Sequence, residues 1–196
     1  MLAYTKSTNV TSRAIYYRTG RIVSNPGTLA NDNTATTSIT VGLERSLAEG
    51  EQSAQVALND NNQVVIVSAD NSLTDNSLYC RVGTLTVGTQ GIVDQTIAFG
   101  PRQTYGTGTN PHVCLNNNGV VVEVHEAPVG SALWTNLGFL NAIPSTVWFP
   151  NEAWNYDSGE DPGIAIDDSG TVAEVHEQSG IGFDLWLQTG VVMANL

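Results

Sequence analysis

"GVVVEVHE" at residues 119–126 and "GTVAEVHE" at residues 170–177 are nearly one octapeptide written twice, 51 positions apart. The chain has only 3 histidines, and two of them sit in this pair. Two His-plus-acid sites would point to metal or acid–base chemistry, whereas one strand used twice would point to a repeat architecture. Extending the match outward favours the second. Residues 97–140 and 147–192 align along their length, a more diverged copy runs over 39–85, and residues 1–38 hold the latter part of a further copy. The period is about 50 residues, which gives three full units and a partial one within a single repeat domain over 1–196.

Each full unit carries four strand-like segments. An apolar stretch with an aromatic opens it ("IAFG" at 97–100, "VWFP" at 147–150), and "HVCL" (112–115) or "GIAI" (163–166) follows. A polar turn then leads into the VxEVHE segment, and "SLYCRVGTL", "ALWTNLGFL" or "DLWLQTGVV" closes the unit. None of these has a helical period, and Asn118–Gly119 predicts a hairpin with a type I′ turn. Four short antiparallel strands per unit of this length predict an all-β, β-propeller-like array of about four four-stranded blades. Counted from the second segment, the first blade lacks its initial strand and the last lacks its closing strand. A small ring closed by its termini, a homodimer completing a larger ring, or a piece of a longer repeat protein would each satisfy that count, and the homodimer is the expectation. Residues 24–38 have turn composition and read as a loop.

Composition narrows the partners. A formal charge of −12, with only 7 Lys and Arg, argues against a nucleic-acid partner and disfavours anionic membranes. No apolar run reaches membrane-spanning length, and "MLAYTKSTNV" has no apolar leader core. The remaining partners are glycans or another protein. Cys80 and Cys114 have no CxxC spacing and read as buried free thiols.

The pieces "VALNDNN", "VVVEVHE", "TVAEVHE", "IYYRTG" and "LYCRVG" resemble repeats of bacterial β-propeller proteins of lectin-like type. The resemblance spans nearly the whole chain and implies a non-catalytic module that binds sugars in pockets between blades. The copies "VVIVSAD" (64–70) and "MLAYTKS" (1–7) lack the Glu and His, which leaves any site built on them in two units.

Side chains alternate along a strand, so Glu123 and His125 share one face, with Val122 and Val124 on the other. A Glu-x-His pair lodged between blades satisfies itself by a charge-assisted hydrogen bond. Two ligands per unit fall short of a zinc site, and no metal or cofactor is expected. Nor is there a G-x-S-x-G elbow, an HExxH or a P-loop, so the expectation is a protein that is not an enzyme. His112, beside Pro111, reads as a surface residue.

The aromatics carry the binding hypothesis. Trp134, Trp186, Tyr79 and Tyr17 are read as one repeat position, while Trp154, Tyr156 and Tyr105 fall in segments read as loops. Sugar sites stack C–H faces on such rings and bond hydroxyls with carboxylates. The expected ligand-binding set is Trp154, Tyr156, Asp157, Trp134, Trp186, Glu126, Glu177 and Tyr105. The rival expectation is a structural or protein-interaction scaffold without sugar binding.

Overall fold

The computed structural model describes residues 1–7, 13–25, 36–70, 75–86, 95–141, 145–178 and 184–192. Among these residues there is no helix, and antiparallel sheets make up the fold. The strands are β1 (Leu2–Ser7), β2 (Arg13–Arg18), β3 (Gly20–Asn25), β4 (Thr36–Val41), β5 (Arg45–Glu49) and β6 (Glu51–Leu58). Next come β7 (Gln63–Asp70), β8 (Ser77–Thr86), β9 (Thr96–Phe99), β10 (Gln103–Thr107), β11 (Thr109–Leu115) and β12 (Val120–Glu126). The chain continues through β13 (Ala132–Asn141), β14 (Thr146–Trp148), β15 (Trp154–Ser158), β16 (Glu160–Ile166), β17 (Thr171–Glu177) and β18 (Leu185–Val191).

The first sheet has the order β1-β2-β5, and β3 and β4 pair as a separate two-stranded ribbon. The second runs β6-β7-β8-β10, with β9 on the far half of β8. In the third, β11-β12-β13 is flanked by β14 and β15, which pair with opposite halves of β13. The fourth is β16-β17-β18. Thus the aromatic segments that open the sequence units, "IAFG" and "VWFP", belong to the sheets that precede them. The segments after them, expected as loops, are the strands β10 and β15. Residues 24–25 and 36–38, also expected as loop, lie in β3 and β4, and 26–35 fall outside the described residues.

Register relates the sheets position by position. Tyr4 faces Tyr16, Ser68 faces Tyr79, His125 faces Trp134 and His176 faces Trp186. Tyr16, not Tyr17, is therefore the counterpart of Tyr79 and the two tryptophans. Tyr17 points the other way, into the core, where it meets Phe99 edge-on at 5.5 Å. The Tyr16–Tyr17 doublet made the two frames indistinguishable in sequence.

The hairpins that join the first two strands of the last three sheets have three-residue loops. Gly119 N donates to Asn116 O at 3.1 Å and Gly119 takes φ +78, while Asn118 is not in the left-handed region. This is a type I turn followed by one left-handed residue, not the type I′ turn expected. Asn62 (φ +60) and Gly170 (φ +86) fill the same place in the other two hairpins. The turns are tied to each other. Asn59 Nδ2 donates to Asn116 O at 3.0 Å, and Asn116 Nδ2 donates to Asp167 O at 3.2 Å.

The core lies between sheets, so β7 and β12 are buried on both faces. Val65, Val67, Cys80 and Val82 of the second sheet meet Val113, Leu115 and Val121 of the third. Tyr17, Val64, Ile66 and Ile97 join the first and second sheets, and Cys114, Val120 and Val122 pack towards Ile164, Ile166 and Val172 of the fourth. Cys80 and Cys114 are buried and unbonded, and burial pushes each thiol up to about 12.

Candidate functional site: the cleft between the third and fourth sheets

Each outer strand (β5, β10, β15) carries a bulge where it pairs with its neighbour, at Leu47, Tyr105 and Tyr156 respectively. A bulge re-aims a side chain, and here it sends that residue into the next sheet. Tyr105 Oη donates to Glu123 Oε1 at 2.9 Å, and Tyr156 Oη donates to Glu174 Oε1 at 3.0 Å. Each carboxylate also accepts its own sheet's histidine, with His125 Nδ1 and His176 Nδ1 both at 3.0 Å. A carboxylate can only accept, so both rings carry the Nδ1 proton. Asn136 Nδ2 completes the shell of Glu123 at 2.9 Å. Glu123 and Glu174 are buried at 0% and 5% exposure, His125 and His176 at 3% and 2%. Burial first, and then the adjacent carboxylate, push both tyrosine hydroxyls above their ordinary value.

The first interface solves the same problem differently. There the counterparts are Leu47, Ile66 and Ser68, and Leu47 packs against the apolar cluster that holds Ile66. The buried acid comes from β6: Glu51 accepts Ser68 Oγ at 2.6 Å and both terminal nitrogens of Arg81 at 2.7 and 2.8 Å. Glu51 occupies the position that is Gly108 and Gly159 in the later sheets. A Cβ at either glycine would stand 2.4 or 2.5 Å from the histidine ring. Ring and side chain exclude each other, so each sheet holds one or the other.

Between the second and third sheets the far end of the interface is sealed. Val147 and Phe149, at the third sheet's outer strand, cover Gly138, and Gln103 grips that strand with its amide, accepting Val147 N at 2.8 Å and donating to Val147 O at 3.1 Å. Between the third and fourth sheets no such cover is present among the described residues. A Cβ on Gly190, the counterpart of Gly138, would meet nothing within 4 Å. The result is a cleft of about 300 Å³ with apolar walls from Val122, Val124, Leu137, Ile164 and Val172. Glu174 and Gln188 give it a polar end, and Trp154 replaces the Gln103 clamp. The indole of Trp154 is 46% exposed.

The structure brings Trp154 and Tyr156 together in this cleft. Asp157 is on the same strand, accepts Gln188 Nε2, and has a carboxylate oxygen 3.8 Å from His176 Nε2. Trp186, 51% exposed, is two residues from Gln188 on the same face of β18. The other expected residues lie elsewhere. Tyr105 is locked in the preceding interface, stacked on Phe149 at 5.2 Å. Trp134 is half-buried opposite His125 and Asn155. Glu126 Oε1 accepts Asn110 Nδ2 at 3.0 Å and Asp161 N at 2.7 Å, binding the third sheet to the fourth. Glu177 is half-buried opposite Leu185 and Glu160. His112, expected at the surface, is half-buried on β11, and burial lowers its pKa.

Gln188, absent from the sequence-derived set, did have a signal. It is the counterpart of Arg18, Arg81 and Asn136, so this third-strand position carries a side-chain donor in every sheet. The chain matches no protein-family model, and no curated protein is detectably similar to it.

Proposed function

We propose that the protein is a non-catalytic carbohydrate-binding module of β-propeller-like build, with its glycan site in the cleft between the third and fourth sheets. The observation that carries the reading is an exposed indole, Trp154, on the wall of a cleft that ends in a carboxylate and an amide, Glu174 and Gln188. A pyranose has an apolar C–H face and a hydroxyl rim, and such a pair of surfaces meets both. Support for the propeller-like build is that β1, β6, β11 and β16 neighbour one another in turn, as inner strands around an axis would. The alternative, a protein-interaction scaffold, is favoured by the apolar walls, which fit an extended peptide as well as a sugar face.

Glycan-array screening followed by calorimetry tests the reading. Saturable sugar binding is expected, lost in Trp154→Ala and retained in Tyr156→Phe. No hit with folded protein, or sugar binding that survives Trp154→Ala, would refute it. Capture of a protein ligand that free sugars do not displace would establish the scaffold.

A further inference from the structure

The buried carboxylates of the last two interfaces are surrounded alike except at one place. His125 Nδ1 lies 3.2 and 3.0 Å from the two oxygens of Glu123, and His176 Nδ1 lies at the same distances from those of Glu174. Tyr105 and Tyr156 each donate to Oε1 of their acid. Glu123 Oε2 then takes a third donor, Asn136 Nδ2 at 2.9 Å. Among the described residues, Glu174 Oε2 has no such third donor. Gln188 stands opposite Glu174 as Asn136 stands opposite Glu123, but it gives its Nε2 to Asp157 Oδ2 instead.

Two differences between the sheets act together here. Asp157 pairs with Leu133 where Gly106 pairs with Leu78. The glycine offers Asn136 no side-chain acceptor, whereas the aspartate draws the longer glutamine away. Asn136 is 2% exposed, and Gln188 is half-buried. The result is a carboxylate at 5% exposure, on the wall of the cleft, with one acceptor position open. A buried acceptor short of a donor is a position that a ligand's polar hydrogen satisfies.

The neighbours of Glu174 decide which donor suits it. Ile164 faces Glu174 across the β16–β17 pair. Val172 is two residues along on the same face, opposite Gly190, around which there is open space. A ring hydroxyl would bring its neighbouring hydroxyls against these aliphatic side chains. An ammonium has three donors and would leave two of them there. An acidic sugar would set its charge beside Glu174 in a cleft that no Lys or Arg lines among the described residues. An acetamido group meets every condition, with one N–H donor, a planar amide like that of Asn136, and a methyl for the apolar wall. Gln188 Nε2 keeps a second proton for the acetamido carbonyl.

We infer that the cleft selects an N-acetylhexosamine, whose acetamido N–H donates to Glu174 Oε2 in the place of Asn136 Nδ2 and whose methyl lies on Ile164 and Val172. The inference rests on the glycan site proposed above and names the sugar that site takes. Trp154 governs affinity for any pyranose by stacking, and Glu174 Oε2 governs the choice among them.

Calorimetry with the methyl glycosides of N-acetylglucosamine, N-acetylgalactosamine, glucose, galactose, glucosamine and glucuronic acid tests this. At least one N-acetyl glycoside should bind about tenfold or more tightly than its parent hexose, the amine and the acid, as one hydrogen bond to a buried carboxylate implies. Asp157→Gly combined with Gln188→Asn recreates the third-sheet pair. It should fill the open position and abolish the preference, with the melting temperature unchanged or raised. Parent hexoses that bind as tightly as the N-acetyl forms, or a preference for the amine or the acid, would overturn the inference and leave the glycan site standing. So would a folded double variant that keeps the preference; if that variant does not fold, the wild-type ranking decides. Binding of none of these glycosides also overturns the inference, and only a blank glycan array with folded protein removes the site as well.

Discussion

Replacing Glu123 by Ile, the residue at the same position in the second sheet, tests whether the buried carboxylate is a structural keystone. The substitution removes the acceptor of Tyr105 Oη, Asn136 Nδ2 and His125 Nδ1, all within a site of 0% exposure. Each stranded buried donor costs about 1–3 kcal/mol, which sets the loss at roughly 3–9 kcal/mol. Relief of the carboxylate's own desolvation and the added apolar contacts of Ile offset part of this, so the low end, about 3–4 kcal/mol, is expected. With a urea m-value of ~2 kcal/mol/M, the unfolding midpoint should fall by about 1.5–2 M. A second variant transplants the whole first-interface solution: Tyr105→Leu, Gly108→Glu, Glu123→Ile, His125→Ser and Asn136→Arg. These residues touch one another, so their effects should be strongly non-additive, and the five together should recover at least half of the loss. A shift below about 0.5 M for Glu123→Ile, or a transplant no better than the single change, would refute the reasoning.

Two further outcomes follow from the same geometry. Gly108→Ala would place a Cβ 2.4 Å from the His125 ring and 2.6 Å from Glu126 O, and should cost at least ~2 kcal/mol by thermal or urea unfolding, whereas Gly190→Ala, with open space around it, should be neutral or stabilise by up to ~1 kcal/mol. Equal effects at the two sites would contradict the packing described. The pH dependence turns on Glu51: burial pushes its carboxyl up, but the hydrogen bonds from Arg81 and Ser68 and the charge of Arg81 outweigh it and hold the group below its ordinary value. A lowered folded-state pKa means that the unfolded chain binds more protons in acid, so this stability is present above an unfolded pKa of about 4.3 and is lost as pH falls through the folded value. Urea midpoints from pH 6 to about 3 should fall in the wild type and fall less in Arg81→Met, where only Ser68 and Arg102 still oppose the burial of the carboxyl; parallel slopes would exclude Glu51 as a source of acid sensitivity.

Much of this architecture was legible. The all-β character, the hairpin positions and the shared face of Glu123 and His125 follow from period-two alternation and from turn residues. The outer strands were not legible, and the reason is physical. "QTYGT" and "WNYDS" are short and polar, and each is broken by a bulge, so alternation fails where the strand does its work. The turn type was missed because Asn–Gly suits both a two-residue loop and the end of a three-residue one. Trp154 and Tyr156 were found as aromatics in one segment. Their partners Glu174 and Gln188 come from a different sheet, and only three-dimensional register connects them.

The relocation of the buried acid from β12 to β6 has a consequence for how relatives of this chain should be compared. Aligned by column, Ile66 against Glu123 looks like the loss of a functional group. In space the second sheet still keeps an anion beside Ser68 and Arg81, supplied by Glu51 across the hairpin. What is held constant is a negative charge at one address in the interface, and the backbone position that delivers it is free to drift, provided the ring opposite leaves or stays accordingly.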